Sequence, residues 1–165
     1  MLPVPLRRLL RAATLLLLPG LAVAQPVSEQ PFPVLEAGMH SASIARLATD
    51  RSGRYAVSVS QDKTARVWSL PDGRLLQTLR VPLGDNHEGK LCSVAVSPAG
   101  DRIAVGGWTG PVAGTNSVYF FDRASGRLTG RILGLPNVIL HLAWSADGAQ
   151  ISLHNLATVP VVSLA

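Results

Sequence analysis

The sequence predicts an all-β chain made of repeated antiparallel sheets. Three observations carry that reading. Short stretches alternate apolar and polar residues with a period of two, no stretch sustains a helical period, and one turn motif recurs every 47 or 48 residues.

The alternating stretches, in chain order, are IARLAT (44–49), YAVSVS (55–60), ARVWSL (65–70), LLQTL (75–79), CSVAVS (92–97), RIAVGG (102–107), SVYFFD (117–122), RLTGRI (127–132) and LHLAW (140–144). Each is short, rich in β-branched or aromatic residues, and bounded by Gly, Pro, Asp or Ser, as strands between tight turns are. The recurring turns are DRSGRYAV, SPAGDRIAV and SADGAQISL, with glycines at Gly53, Gly100 and Gly148. A second match lies downstream, where TARVWSLPDGRLLQTL (64–79) parallels SVYFFDRASGRLTGRI (117–132) and Trp68 aligns with Phe121. WTGPVAGT (108–115) reads as a Gly/Pro insertion between two strands of the second unit, with Trp108 inside it.

Each unit is therefore four strands. Both faces of such a sheet are apolar, as in ARVWSL and VYFF, and stacking sheets radially buries both. The expected fold is an incomplete β-propeller of antiparallel four-stranded blades, two blades plus a partial third. After Gly148 the pattern is expected to fade, and Pro160 would interrupt a ladder anywhere but on an edge. Propellers have about four to eight blades, so the flanks of this array are expected to expose apolar faces and to favour self-association.

Residues 1–24 read as a secretory signal peptide. Arg7, Arg8 and Arg11 make a basic opening, Ala12 to Leu18 an apolar core, and Ala22-Val23-Ala24 a small-residue cleavage site. The apolar part is too short for the ~20 residues that span a bilayer as a helix. Export to the periplasm or the extracellular space is expected, with cleavage after Ala24 and no membrane association afterwards. Residues 25–37, rich in Pro and polar residues, read as an extended leader.

The chain has 15 Lys+Arg against 10 Asp+Glu, a net charge of +5. Three of those positives precede Gln25, so the rest carries +2. The basic residues are scattered singly, without the clustered face and stacking aromatics of a nucleic-acid surface. No nucleic-acid partner is expected. The single cysteine, Cys92, sits in an alternating run and reads as a packed strand thiol.

The first unit, HSASIARLATDRSGRYAVSVSQDKTARVWSL, resembles the WD-repeat propellers. That resemblance makes 38–165 a WD-repeat fragment. It also implies a buried polar tetrad of His40, Ser58, Asp62 and Trp68. His87 keeps the position of His40 in the second unit, thirteen residues before its turn glycine, but Val105, Thr109 and Phe121 replace the other three. NHEGKLCSVAVSP, AVGGWTG, FDRASGRL and LPNVI are similar to stretches of exported bacterial WD-repeat proteins, some of which carry a caspase-like peptidase domain. The resemblance implies a sensing or docking role; no peptidase domain fits in this chain.

Ser58, His40 and Asp62 are also the residue types of a hydrolase triad. Ser58 lies mid-strand with no G-x-S-x-G turn, which favours the structural tetrad. Asp85, His87 and Glu88 are adjacent in GDNHEGK, and side chains in one turn point apart, which argues against a metal site. His141 and His154 lie in apolar runs and are expected to pack in the core or at an edge. Trp108 is the candidate partner-contacting aromatic, with packing inside its loop as the competing reading, and His87 is a second candidate contact. No catalytic residue, metal or cofactor is expected. Three readings follow: a non-catalytic scaffold for a protein or peptide partner, the sensor part of a caspase-like peptidase or other hydrolase system, and a truncated, non-functional fragment.

Overall fold

The computed structural model describes residues 38–155 and 161–163. The signal peptide and leader read from residues 1–37 lie outside them. The described chain is all-β and forms three antiparallel sheets. The first contains β1 (Ile44–Thr49), β2 (Tyr55–Ser60), β3 (Thr64–Ser69) and β4 (Leu75–Arg80) in sequence order. The second contains β5 (Lys90–Val96), β6 (Arg102–Trp108), β7 (Asn116–Asp122) and β8 (Leu128–Leu135) in the same order. The third contains β9 (His141–Trp144), β10 (Gln150–His154) and β11 (Val161–Ser163). This is an incomplete propeller, with two whole blades and one of three strands.

The repeated turn is built the same way three times. Gly53, Gly100 and Gly148 have φ of +66°, +76° and +73°, a left-handed conformation that glycine adopts without strain. Three residues before each glycine stands a side-chain oxygen that caps the strand beginning two residues after it. Asp50 Oδ1 accepts from Tyr55 N–H at 3.0 Å, Ser97 Oγ from Arg102 N–H at 2.9 Å, and Ser145 Oγ from Gln150 N–H at 2.9 Å. The side chains that follow tie one blade to the next. Arg54 donates to the Ala99 carbonyl of the second sheet's turn, and Arg102 to the Gly148 carbonyl of the third's.

Strand alternation sorts the second sheet between two cores. Val94, Val96, Ile103, Val105, Tyr119 and Phe121 pack with Val57, Val59, Ala65 and Val67 of the first sheet. Their neighbours Ala95, Ala104, Val118 and Phe120 face the other way and pack with Leu142, Ile151 and Leu153 of the third. Trp144 closes that second core, edge-on to Phe120 with centroids 6.0 Å apart and with the Arg102 guanidinium 4.6 Å above its ring.

The partial third blade is present as expected: β10 pairs with β9 from Ile151↔Trp144 to His154↔His141, and β11 pairs with β10. Three expectations change. Trp108 is not in a loop; it is the last residue of β6, opposite Lys90. Neither His141 nor His154 packs in the core: both are exposed, His141 at the start of the edge strand β9, because Leu142, Ile151 and Leu153 take the inward positions of their strands. For the same reason the described outer face of the third sheet, with His141, Ala143, Ser152 and His154, is small and polar, not apolar. Exposed aliphatic side chains stand instead on β1, where Ile44 and Leu47 are each 58% exposed.

Candidate functional site

Two groups of side chains hold the sequence-predicted residues. The first lies in the first sheet. His40 precedes β1, Ser58 is in the middle of β2, Asp62 is in the β2–β3 turn and Trp68 is near the end of β3. Trp68 Nε1–H donates to Ser58 Oγ at 2.9 Å, Ser58 Oγ lies 2.8 Å from His40 Nε2, and His40 Nδ1 lies 2.8 Å from Asp62 Oδ2. The indole is only a donor, so Ser58 Oγ accepts from it and gives its own proton to His40 Nε2. That leaves the Nδ1–H of His40 for Asp62, the one tautomer that satisfies all four groups. Asp62 also accepts from Ser41 N–H and Thr64 N–H at 3.0 Å, and from the Thr64 hydroxyl at 2.6 Å. Burial would raise its pKa. The hydrogen bonds from Thr64, His40 and Ser41, with the nearby imidazole, outweigh burial and hold it below the usual carboxylate value.

The same three atoms have the order of a hydrolase relay, but the serine is not presented. Ser58 is 2% exposed and its hydroxyl oxygen is already occupied by the indole N–H. A nucleophile needs a reachable oxygen beside an oxyanion hole. The arrangement fixes register across β1, β2 and β3, and a satisfied buried network of this kind does so at little cost.

The second sheet keeps one joint of that design with different atoms. Thr109 stands where Asp62 does, and Ser117 where Thr64 does. Thr109 Oγ1 accepts from Ser117 N–H at 2.7 Å and donates to the Ser117 carbonyl at 2.6 Å, while Asn116 Oδ1 accepts from Thr109 N–H at 3.0 Å. All three residues are buried. They close the base of the inserted loop 109–115. Sequence reading missed Asn116 and Ser117, since no WD-repeat position marks them. With Val105 and Phe121 in the serine and tryptophan places, His87 is released from any polar chain and is exposed.

His87 turns to Trp108 instead, with ring centroids 5.8 Å apart at 40°. The structure thus brings together the two candidate contact residues. They border a cleft of about 470 Å³ between three loops, 81–89, 109–115 and 136–140. Trp108 is 48% exposed there. Two glycines make the wall possible by close approach. A Cβ on Gly107 would stand 2.3 Å from the Lys90 carbonyl oxygen, and one on Gly106 would stand 2.9 Å from Ile139 Cβ. Without them β6 could not press against β5 and the 136–140 segment, and Trp108 would not sit at the rim. Behind the cleft, Lys63 Nζ donates to the Gly84 carbonyl at 2.6 Å and holds the 81–89 loop to the first sheet. Gln61, Lys90 and Cys92, with the same His87 and Trp108, line a smaller depression of about 210 Å³. Cys92 is half-buried at the β5 bulge, and desolvation raises its thiol above the ordinary pKa despite the Trp108 backbone and the charges of Arg46 and Lys90. Among the described residues no group of three or more His, Cys, Asp or Glu could hold a metal ion, and no helix is long and apolar enough to cross a membrane.

Residues 33–69 match the family model of the WD domain, G-beta repeat. That span takes in the whole tetrad and the first three strands, and it supports the WD-repeat family for this chain. No curated protein matches the chain significantly. WD-repeat domains are generally non-catalytic scaffolds that bind other proteins; the matched span holds the tetrad inside the first sheet, whereas the cleft lies at loops flanking the second, outside the matched residues.

Proposed function

We propose that this chain is a non-catalytic, exported WD-repeat scaffold that binds a protein or peptide partner at the cleft beside Trp108 and His87. The observation that carries this reading is the half-exposed indole, fixed at a strand end on the rim of a cleft large enough to take a peptide side chain with its neighbours. An aromatic anchor held by a sheet loses little conformational freedom on binding. The tetrad is the structural part of this design and the cleft the working part. Export rests on the three-part layout of residues 1–24. N-terminal sequencing of material secreted by an expressing cell is expected to begin at Gln25, and material that still begins at Met1 would refute it.

The binding role is tested by selecting displayed random peptides against the purified chain and repeating the measurement on Trp108→Ala. Selected peptides are expected to lose about tenfold or more in affinity, as truncation of an anchor does. Peptides that bind both proteins equally would remove the cleft from the role. A second reading is favoured by the wording of NHEGKLCSVAVSP and AVGGWTG, which frame this cleft. In it the blades are the sensing part of a caspase-like peptidase acting in trans. Co-expression with such a peptidase, with and without Trp108→Ala, separates it from a free-standing scaffold: only the sensor role makes peptidase activity depend on the indole.

A further inference from the structure

We propose that the partner segment places a lysine or arginine side chain in the cleft, against Trp108 and between Asp85 and Glu88. The inference rests on the binding-module reading and adds the chemistry of the occupant.

Carboxylates are scarce in the described part of the chain and most are used inside it. Residues 38–155 carry twelve Lys and Arg but only eight Asp and Glu. Six of those eight, Asp50, Asp62, Asp72, Asp101, Asp122 and Asp147, accept hydrogen bonds within turns. Each is held below the ordinary carboxylate pKa by those bonds. Asp85 and Glu88 are the other two. Neither side chain accepts a hydrogen bond or enters an ion pair among the described residues, and both line the cleft. Among the described residues they are the only charged ones that do so. On a surface with a positive excess, both unengaged carboxylates therefore border one depression.

The rest of the lining suits the same occupant. The Trp108 face offers a ring quadrupole to a cation. Val112 and Pro136 offer apolar surface to the methylene stem that a long cationic side chain carries. Lys90, the cross-strand partner of Trp108, lines the neighbouring depression and not this cleft. Lys63 is tied to the Gly84 carbonyl behind the loop. Charge thus favours the cleft, with its two carboxylates, over the neighbouring Lys90-lined depression for a positive group. An acidic or neutral segment would gain the apolar contacts and leave both carboxylates desolvated without a partner.

The test follows the indole N–H resonance of Trp108, assigned by Trp108→Phe, in ¹H–¹⁵N spectra of the purified chain. Three acetylated and amidated peptides are titrated, Gly-Ala-Val-X-Val-Ala-Gly with X as arginine, citrulline or glutamate. The arginine peptide is expected to move this resonance with an affinity about tenfold above the other two, the sum of a cation–aromatic contact and partly screened charge pairs. Asp85→Asn with Glu88→Gln is expected to abolish that preference while leaving the spectrum otherwise folded, and added salt to narrow it. Equal affinity for arginine and citrulline peptides, or preference for glutamate, overturns the cationic assignment and leaves the cleft a binding site. A Trp108 resonance that answers to protein concentration alone makes a second copy the occupant and also overturns the assignment. If none of the peptides moves it at millimolar concentration, the binding-module reading of this cleft fails with it.

Discussion

Replacing Ser58 by alanine tests the tetrad most directly. Ser58 Oγ receives the Trp68 N–H at 2.9 Å and reaches His40 Nε2 at 2.8 Å. Its removal changes little volume but leaves two polar groups without partners. A buried unsatisfied group costs about 1–3 kcal/mol. The His40 side chain is 3% exposed, so its orphaned nitrogen carries the larger share, while Trp68 is half-buried and carries less. Ser58→Ala is therefore expected to lose about 2–4 kcal/mol, a large part of the ~5–15 kcal/mol a domain has. Trp68→Phe removes the donor and lets Ser58 keep its bond to His40, at a cost of about 1 kcal/mol for the hydrogen bond. In the double variant no indole remains to be orphaned, so the losses fall short of additivity by about 1 kcal/mol. Urea unfolding followed by circular dichroism measures all three, with midpoints shifting at constant slope. A loss below about 0.5 kcal/mol for Ser58→Ala, or strict additivity in the double variant, would refute the reasoning.

Acid should weaken the fold through the turn carboxylates. Asp50 is held at about 2, since the Ser52 hydroxyl and the Tyr55 and Arg54 amides together outweigh the desolvation that raises it, and Asp62 is lowered as well. A carboxylate with a depressed folded pKa contributes stability above its unfolded value and loses it as pH falls through the folded one. The urea midpoint is expected to drop between about pH 4 and about pH 2, and Asp50→Asn to flatten that drop; an unchanged slope would contradict it. Gly107→Ala forces a Cβ to within 2.3 Å of the Lys90 carbonyl oxygen and is expected to cost at least the ~1–3 kcal/mol of overpacking and to shift Trp108 fluorescence. Gly130→Ala, whose Cβ meets nothing nearer than Phe120 at 3.9 Å, is its control and should cost nothing measurable. Cys92 should react slowly with thiol reagents at neutral pH and rapidly in urea, because burial raises its pKa; equal rates would show an open thiol.

The range of the forces involved decides which features of the fold were legible in the sequence. The turns at Gly53, Gly100 and Gly148 are local, and so is the alternation that sends Val57 and Val59 one way and Ser58 the other. These were legible. The outward facing of His141 was equally local, since Leu142 and Trp144 take the inward positions, but the apolar content of LHLAW masked its phase. The Gly/Pro content of WTGPVAGT assigns Trp108 to the inserted loop. Its strand position depends on contact between Gly107 and the Lys90–Cys92 backbone, which no short window contains. The cleft itself is assembled from three loops far apart in the chain. GDNHEGK announced its charges but not the indole and proline that face them. Thr109 and Asn116 show how a lost tetrad position is refilled by a different side chain doing the same capping, which a search for Asp or Ser cannot find.

The alternation of the second sheet sets the order in which the molecule comes apart. Its strands hold a share in both cores, Ile103 and Val105 in one and Ala104 and Val118 in the other. Either outer sheet can open and strip a single core, leaving the remaining pair packed. Opening the middle sheet removes both at once. Among the described sheets, opening therefore costs less at the first and third than at the second. The Trp108 cleft is framed by β6 and by the segment leading into β9, so its third wall sits on the boundary between the most persistent sheet and a sheet that can open alone. Seating a partner there would brace that boundary, making occupancy of the cleft and retention of the third sheet one equilibrium.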